Sequence, residues 1–311
     1  MNKPHDIVVK VFKKKKMIKK IILFLAVSIF SIMLVHAQEN TDSIKNWEFS
    51  GVTTVNFSQV SLTNWSAGGE NSYAFNGLFN FAANYSQNKN DWENSLDIGY
   101  GIQKQGEQEV RKTDDHIDFN SKYGRKISKS FFLSAILSFK TQMDDGKKYE
   151  TDPDTSYTIS TFLAPGYVQG ALGMEYKPNK TFYAVLSPAT GKLTLVLDDT
   201  LSANGSFGVD PGEKTRLELG GSVNIGLKKE IMKNVTLNST LGLFSNYLEK
   251  PQNIDVDWKV MINMKINNYL SANLNTHLMY DDNINYVDEN GKHGPRVQFK
   301  EMFGVGLTYK F

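Results

Sequence analysis

Alternation of apolar and polar side chains runs through most of this sequence and limits the folds open to it. Leu96, Ile98, Tyr100 and Ile102, for example, alternate with Asp97, Gly99 and Gly101. Residues two apart share one face of a β-strand, so the pattern predicts strands. About twelve such stretches occur, several of them longer than the usual five to six residues. They are 47–62, 73–87, 91–103, 114–127, 131–143, 167–177, 181–187 with 192–199 as an extension, 214–230, 235–248, 254–267, 270–282 and 297–311.

The connections between these stretches alternate in length. Short turns are predicted at 88–90, 128–130, 178–180, 232–234 and 267–269. Longer polar segments are predicted at 63–70, 104–113, 144–166, 188–213 and 283–296. Outer-membrane barrels have short periplasmic turns and long outer loops. The sequence therefore predicts an all-β fold, a membrane-spanning antiparallel up-and-down β-barrel of about twelve strands.

Aromatic residues support this prediction by collecting near the short turns and the chain ends. In the predicted barrel these points form one rim, where an aromatic girdle is expected at a membrane interface. The predicted girdle contains Trp47, Tyr85, Trp92, Tyr123, Phe131, Phe132, Tyr176, Phe182, Tyr183, Tyr269, Tyr309 and Phe311.

The first 37 residues have the pattern of a secretory signal peptide preceded by an extension. Basic KKKKMIKK is followed by the apolar core 21–35, and Val35-His36-Ala37 fits the small-residue cleavage rule. The core is shorter than the roughly 20 residues of a membrane-spanning helix. We predict cleavage after Ala37, with residues 38–311 forming one barrel domain.

Composition removes several classes of function. The chain has no cysteine, which excludes disulfides and thiolate chemistry. Of its 35 Lys and Arg and 33 Asp and Glu residues, eight lysines and one aspartate lie in residues 1–37, so residues 38–311 carry a formal charge of −5. A negative domain gives no support for nucleic-acid binding. No cofactor is predicted.

The C-terminal stretch alternates up to its last residue. Phe303, Val305, Leu307, Tyr309 and Phe311 share one face. A closed barrel needs its last strand to pair with its first. A last strand of this kind resembles the signal that the outer-membrane insertion machinery reads, so we expect that machinery to be a partner.

The alternation also predicts which polar residues line the lumen, because a membrane barrel turns apolar side chains to lipid and polar ones inward. Their mixed charges fit either a small-solute pore or a salt-bridge network that plugs the barrel. Twelve strands enclose a lumen between the packed eight-strand and the open sixteen-strand cases, so both interpretations stay open. The predicted lumen residues are Asp97, Asp118, Lys122, Lys140, Glu175, Glu218, Asn224, Asp257, Lys259, Lys265, Asn273 and His277.

Four Asp-Asp pairs fall at the predicted outer ends of strands: Asp114-Asp115, Asp144-Asp145, Asp198-Asp199 and Asp281-Asp282. With His116 and His293 nearby, they could activate water as in omptin-like proteases. A solvated acidic rim that could bind divalent cations near lipopolysaccharide is the alternative. A phospholipase-like site needs a histidine near lipid, whereas alternation places His277 on the lumen face. The spacing of the pairs is specific for neither chemistry, and no catalytic or metal-ligating residue is assigned.

Three segments resemble a known family: SLTNWSAGGENS (61–72), LSPATGK (186–192) and LSANGSFGVDPGEKTRLELGG (201–221). They are similar to an uncharacterised Bacteroidetes family of secreted proteins, the DUF3078-like proteins. The resemblance covers most of residues 38–311. It implies an outer-membrane barrel and supplies no activity or site residue.

These observations predict a barrel in the outer membrane of a Gram-negative bacterium, in contact with its lipid and lipopolysaccharide. The leading function is a channel or transporter for a small solute. A structural or accessory barrel, with an unidentified protein partner, is the first alternative. A surface hydrolase built on the acidic rim is the second.

Overall fold

The computed structural model describes residues 46–63, 66–149, 156–287 and 293–311. The predicted signal peptide lies outside these residues. Within them, twelve antiparallel strands form one closed barrel. Those strands are β1 (Trp47–Val60), β2 (Ser72–Gln87), β3 (Asn90–Gln105), β4 (Arg111–Lys126), β5 (Phe131–Thr141), β8 (Gly166–Tyr176), β9 (Phe182–Leu195), β10 (Thr215–Met232), β11 (Val235–Asn246), β12 (Asp255–Lys265), β13 (Leu270–Tyr280) and β16 (Gln298–Lys310). Around the wall they follow the order β1-β16-β13-β12-β11-β10-β9-β8-β5-β4-β3-β2. The predicted fold class and strand number are confirmed.

Two short hairpins stand outside the barrel wall. β6 (Gly146–Tyr149) pairs with β7 (Ser156–Ser160), and β14 (Asn285–Val287) pairs with β15 (His293–Pro295). Both belong to segments that the sequence predicts as long outer loops. Among the described residues, no helix has the length and apolar character needed to cross a membrane.

The outward face of the wall carries the apolar set of each alternating strand. Large side chains there are exposed, among them Leu172, Leu186, Leu217, Phe303 and Leu307. A water-soluble domain rarely exposes apolar surface on this scale. Every barrel strand has at least 11 residues, enough for the roughly nine to eleven that a tilted strand needs to span a bilayer. The barrel is therefore a membrane-spanning one.

The aromatic girdle differs from the prediction at two residues. Phe132 and Tyr183 point into the lumen, where Phe132 is buried and the Tyr183 ring lies 4.1 Å from the Lys122 ammonium. Each directly follows or precedes an outward aromatic, and neighbouring residues in a strand point to opposite faces. At the same rim Trp47 packs outward against Tyr85 and Trp92 with tilted rings, whose centroids lie 5.3 and 5.7 Å from that of Trp47.

The barrel closes between the first and last strands. Val52–Asn56 pairs with residues 306–310, and the Phe311 N–H donates to the Gly51 carbonyl at 3.0 Å. The Gly51 N–H returns a bond to the Phe311 carbonyl at 2.9 Å. The Phe311 ring occupies the space that a side chain at Gly51 would fill. The strand register therefore continues to Phe311, as predicted.

Strand β9 corrects the predicted boundary of one outer loop. The sequence predicts a connection at 188–213, with 192–199 as a possible extension of the strand 181–187, and β9 runs without a break through Pro188 to Leu195. Its register with both neighbours shifts around this point. Proline lacks a ladder donor, and a bulge accommodates it inside a sheet. Because the strand continues, Lys192 enters the barrel wall.

The outer connection after β9 folds into a small apolar core. Helix α1 (Asp199–Ala203) contributes Leu201, which packs with Ala164, Val196 and Val209. Arg216 ties this connection to the barrel mouth by donating to the Gly208 carbonyl at 3.0 Å. Gly208 has φ of +81° and lies close to Asn283, so a side chain there would be both strained and crowded.

Candidate functional site: the charged lumen

The strand register places all twelve predicted lumen residues on the inner face of the wall. Directly paired residues in antiparallel strands point to the same side. Asp97 pairs with Asp118, and Asp118 pairs with Lys140 on the next strand. On the other side of the barrel, Lys259 pairs with His277. Asn224 and Lys265 also lie on this face, but they are not members of the four ionic clusters described next.

A central bar of charges crosses the lumen, formed by Asp118, Lys140, Asp257 and Lys259. The Lys259 ammonium contacts the Asp118 carboxylate, and the Lys140 ammonium contacts the Asp257 carboxylate. Asp118 is on β4 and Lys259 on β12, and five strands separate β4 from β12 in either direction around the wall. These two side chains therefore meet from opposite walls and narrow the lumen to side-chain contact.

The bar is only partly enclosed by protein. The side chains of Lys140, Lys259 and Asp257 remain 34%, 33% and 31% exposed. His277 Nε2 donates to the Asp257 carboxylate at 2.9 Å, and the His277 side chain is similarly exposed. Solvent-accessible space inside the barrel thus adjoins both ion pairs. A dry plug would bury these groups, and charges that keep hydration pay less of the desolvation cost.

A side cluster lies beside the bar and contains Asp97, Asp114, His116 and Lys300. Asp114 has a fully buried carboxylate that contacts the Lys300 ammonium and lies 3.2 Å from His116 Nδ1. His116 Nε2 is 3.5 Å from Asp97. The Asn80 amide donates to Asp97 at 2.5 Å. The Asp97 and Asp118 carboxylates, which are neighbours across β3 and β4, are therefore held by different partners.

The outer cluster surrounds Lys192 near the outer ends of the strands. Its ammonium lies 2.8 Å from Asp255, 2.9 Å from Asp281 and 3.6 Å from Glu218. Arg216 lies 3.5 Å from Glu218 and also bonds Glu249 at 2.9 Å. This cluster brings together residues from four strands or strand ends, β9, β10, β12 and the end of β13, and it carries more carboxylates than ammonium groups.

The inner cluster lies toward the short-turn rim and contains Asp91, Glu93, Lys122, Glu175 and Lys177. Lys122 contacts the buried Glu175 carboxylate and lies 3.0 Å from Glu93. Lys177 bonds Glu93 at 2.5 Å and lies 3.4 Å from Asp91. The Ser134 hydroxyl donates to the second Glu175 oxygen at 3.1 Å. Both oxygens of this carboxylate thus have partners.

The part of the lumen around the closing strands is lined by uncharged polar side chains. Asn263 donates to Asn273 at 2.5 Å, and the Thr54 and Thr308 hydroxyls are 3.1 Å apart. The Ser271 hydroxyl lies 2.5 Å from Thr308. These uncharged contacts lie on the same strands as charged lumen residues such as Lys300 on β16 and Lys265 on β12.

The predicted acidic pairs do not form a solvated rim, because their members point in different directions. Within a strand two neighbours face opposite sides. Asp114 therefore enters the lumen, while Asp115 accepts from the Met143 and Asp144 amides at 2.8 Å each. Asp281 bonds Lys192 inside the mouth. The prediction that the four pairs together form a solvated acidic rim is therefore wrong.

The other aspartates of these pairs hold the outer loops. Asp198 caps helix α1 by accepting from the Thr200 and Leu201 amides at 3.0 and 3.1 Å. Lys214, 2.6 Å from exposed Asp199, lowers the pKa of that carboxyl. Asp282 accepts from Asn253 at 2.6 Å. Tyr100 donates to Asp144, and Asp145 is exposed in the loop. Within the described part of the chain, no three acidic or histidine side chains are arranged to hold a metal ion.

The sequence reasoning missed several members of these clusters. Glu93 shares the alternation phase of Asp97, and Asp255 shares that of Asp257, so period two could have found both. Lys300 likewise alternates with the apolar, outward residues of β16, so period two could have found it as well. Lys192 lies in 192–199, which the sequence assigns both to a strand extension and to an outer connection, so alternation alone does not give its face.

The barrel is similar to solved outer-membrane barrels of several kinds. The translocator domain of the autotransporter NalP from Neisseria meningitidis has 10% identity and a TM-score of 0.34, covering 93% of this chain and 95% of that one. The NanC porin has 7% identity and a TM-score of 0.37, covering 84% and 100%. An outer membrane channel from Pseudomonas putida F1 has 9% identity and a TM-score of 0.39, covering 86% and 96%. At such low scores no function follows from these similarities.

The sequence matches one family model and no curated protein. The model of a family described as a protein of unknown function, DUF3078, matches residues 57–146. This range includes the segment 61–72 that suggested the resemblance, whereas the segments 186–192 and 201–221 lie beyond it. The predicted resemblance to the DUF3078 family is thus confirmed over residues 57–146, that is, from β1 to the start of β6.

Proposed function

We propose that this protein is an outer-membrane channel for small solutes and that the central bar is its constriction. The observation that carries the proposal is the state of the bar: its ion pairs cross the lumen, yet three of its four side chains keep about a third of their surface accessible. A constriction of this kind is narrow and wet. Pores set their selectivity with charged side chains at such points.

The space on both sides of the bar supports the proposal. The outer cluster and the inner cluster lie at different levels of the wall, and each leaves part of its charged surface accessible, as for Glu93 and Asp255. A solute would therefore meet polar groups along the whole lumen. Water around the bar lets a lysine side chain move without leaving its charge in an apolar medium.

A non-transporting barrel is the second candidate, and the bar supports it as well. Asp118 and Lys259 meet from opposite walls, so no solute passes while both ion pairs are formed. If these pairs do not open, the protein serves as a structural or accessory barrel. Conductance separates the two candidates.

A surface hydrolase has less support from the geometry. Asp115 is bonded to backbone amides, and Asp114 and His116 are bonded to each other and to lumen charges. A general base needs to reach a substrate water at the rim. These groups instead hold the wall and the outer loops together.

Planar-bilayer recording tests the channel proposal. The full protein without residues 1–37, purified and folded in detergent, is expected to give small, discrete conductance steps in potassium chloride. Heat-denatured protein from the same preparation is the control and should give none. Folding is checked by heat-modifiable mobility in gel electrophoresis. A folded sample without conductance steps would overturn the channel proposal and favour the accessory barrel.

The same proposal places the protein in the outer membrane of a Gram-negative cell. The apolar outward wall and the girdle around Trp47 support contact with lipid, and lipopolysaccharide would surround the outer half. We propose that the insertion machinery recognises the face formed by Phe303, Val305, Leu307, Tyr309 and Phe311, all of which point outward. We also propose that divalent cations bind to carboxylates of the outer loops.

Cysteine labelling tests both location and orientation, and the absence of native cysteine removes background. Exposed Lys147 and Thr200 belong to outer connections, while exposed Lys129 and Lys180 belong to short turns. On intact cells, Lys147→Cys and Thr200→Cys should react with an impermeant maleimide, whereas Lys129→Cys and Lys180→Cys should react only after lysis. The reverse pattern would invert the orientation, and labelling at all four sites only after lysis would contradict surface exposure.

A further inference from the structure

The arrangement of charges in the bar, taken with the proposed channel on which this inference rests, points to a class of solute. We infer that the preferred solutes are small zwitterions, molecules that carry one ammonium and one carboxylate. The reason is that each wall at the bar offers one charge of each sign, and the two walls are paired crosswise.

The crosswise pairing follows from the register. On one wall Asp118 and Lys140 are direct partners across β4 and β5, so a carboxylate and an ammonium lie side by side. On the opposite wall Asp257 and Lys259 are two residues apart on β12 and share its lumen face. Each ammonium contacts the carboxylate of the other wall. Each wall therefore carries one carboxylate and one ammonium, and each of these charges faces a charge of opposite sign on the other wall.

Opening the Asp118–Lys259 pair leaves two charges that need new partners, while the Lys140–Asp257 pair stays formed. Leaving Asp118 without its partner is costly, because its side chain is only 13% exposed and so is poorly hydrated. A zwitterion can place its ammonium on Asp118 and its carboxylate on Lys259. It gives each member of the broken pair a new partner, so the opened state retains its charge pairing while the solute is in the constriction.

Other solutes of equal size compensate less. A cation satisfies one carboxylate and leaves a lysine unpaired, and an anion does the reverse. A neutral solute satisfies neither charge fully. The outer cluster adds no competing requirement for an anion, since the Lys192 ammonium is already surrounded by Glu218, Asp255 and Asp281.

Uptake into proteoliposomes of four radiolabelled solutes of similar size tests this inference. At neutral pH alanine is a zwitterion, alaninamide a cation, lactate an anion and lactamide neutral. Protein-free liposomes give the background for each. After subtraction, we expect alanine to enter at least about tenfold faster than lactamide, corresponding to about 1.4 kcal/mol, and faster than either ion.

Variants of one pair show whether the bar sets this preference. Lys259→Gln leaves Asp118 without its partner and should shift the preference toward alaninamide, while Asp118→Asn should shift it toward lactate. Asp118→Lys combined with Lys259→Asp restores a pair of reversed direction and should restore the preference for alanine. Recovery in this exchanged variant is expected only if paired charges, and not one particular residue, select the solute.

The outcomes keep this inference separate from the channel proposal. If the folded wild type takes up none of the four solutes and conducts no ions, the channel proposal fails. If it takes up all four without preference for alanine, the channel stands and the zwitterion inference is wrong. Preference that persists unchanged in both single variants also overturns it. The wild-type ranking decides the matter even where a variant fails to fold.

Discussion

Replacing Asp118 and Lys259 together by alanine is expected to raise the single-channel conductance several-fold. The two side chains meet across the lumen from opposite strands, and alanine ends at Cβ, so the replacement removes one arm of the bar. Both charges are removed at once, which avoids leaving either of them unpaired. The Lys140–Asp257 pair remains and keeps part of the constriction. Planar-bilayer recordings in potassium chloride measure the change.

A lysine that does not face the lumen provides the matched control. Lys229 is exposed near the inner end of β10, and its partner Leu237 belongs to the outward set. Lys229→Ala should leave the conductance unchanged. An equal rise in both variants would show that net charge, and not the bar, limits conductance. No rise in the double variant would place the constriction elsewhere in the lumen.

Much of the site was accessible from sequence because a strand has only two faces. Once the apolar set of β12 was assigned to lipid, Asp257 and Lys259 had to face inward. The same reasoning placed Asp118 and Glu175. Period-two alternation thus gives the face of each residue without any knowledge of its neighbours.

The pairing across the lumen could not be predicted in this way. Asp118 and Lys259 are 141 residues apart, and their contact depends on which strands lie opposite each other in the closed barrel. Strand number, stagger and tilt together fix that relation. The face pattern alone therefore left the open pore and the plugged lumen equally compatible with the sequence. In the structure, two ion pairs cross the lumen and solvent-accessible space remains around them, so the lumen is neither fully open nor fully plugged.

Two further differences between the predicted and observed barrel concern strand β9 and the aromatic girdle. A bulge keeps Pro188 within β9 and brings Lys192 into the outer cluster, although 188–213 reads as a polar connection. Phe132 and Tyr183 were counted with the girdle on position along the chain, although adjacent aromatics must alternate between lipid and lumen. The Tyr183 ring instead lies over Lys122. The error at Phe132 and Tyr183 came from using position along the chain without asking which face of the strand each residue occupies.

The inner cluster should contribute strongly to stability through one buried carboxylate. Glu175 is 2% exposed, and Lys122 supplies its cationic contact. In Lys122→Met the carboxylate keeps the Ser134 hydroxyl but loses that cation, and the free energy of unfolding should fall by about 3–5 kcal/mol. Urea unfolding of the protein in lipid vesicles, followed by tryptophan fluorescence, measures this change.

The double variant Lys122→Met with Glu175→Gln separates the loss of a pair from the stranding of a charge. It removes both charges, so most of the lost stability should return, because replacing a buried ion pair by neutral groups is often nearly neutral. Lys129→Met, in an exposed turn, controls for the substitution itself. Should the double variant instead be less stable than Lys122→Met, the wall would depend on the Glu175 carboxylate for a reason other than its pairing with Lys122. Recovery in the double variant would show that Lys122 neutralises a charge that the barrel otherwise holds at high cost.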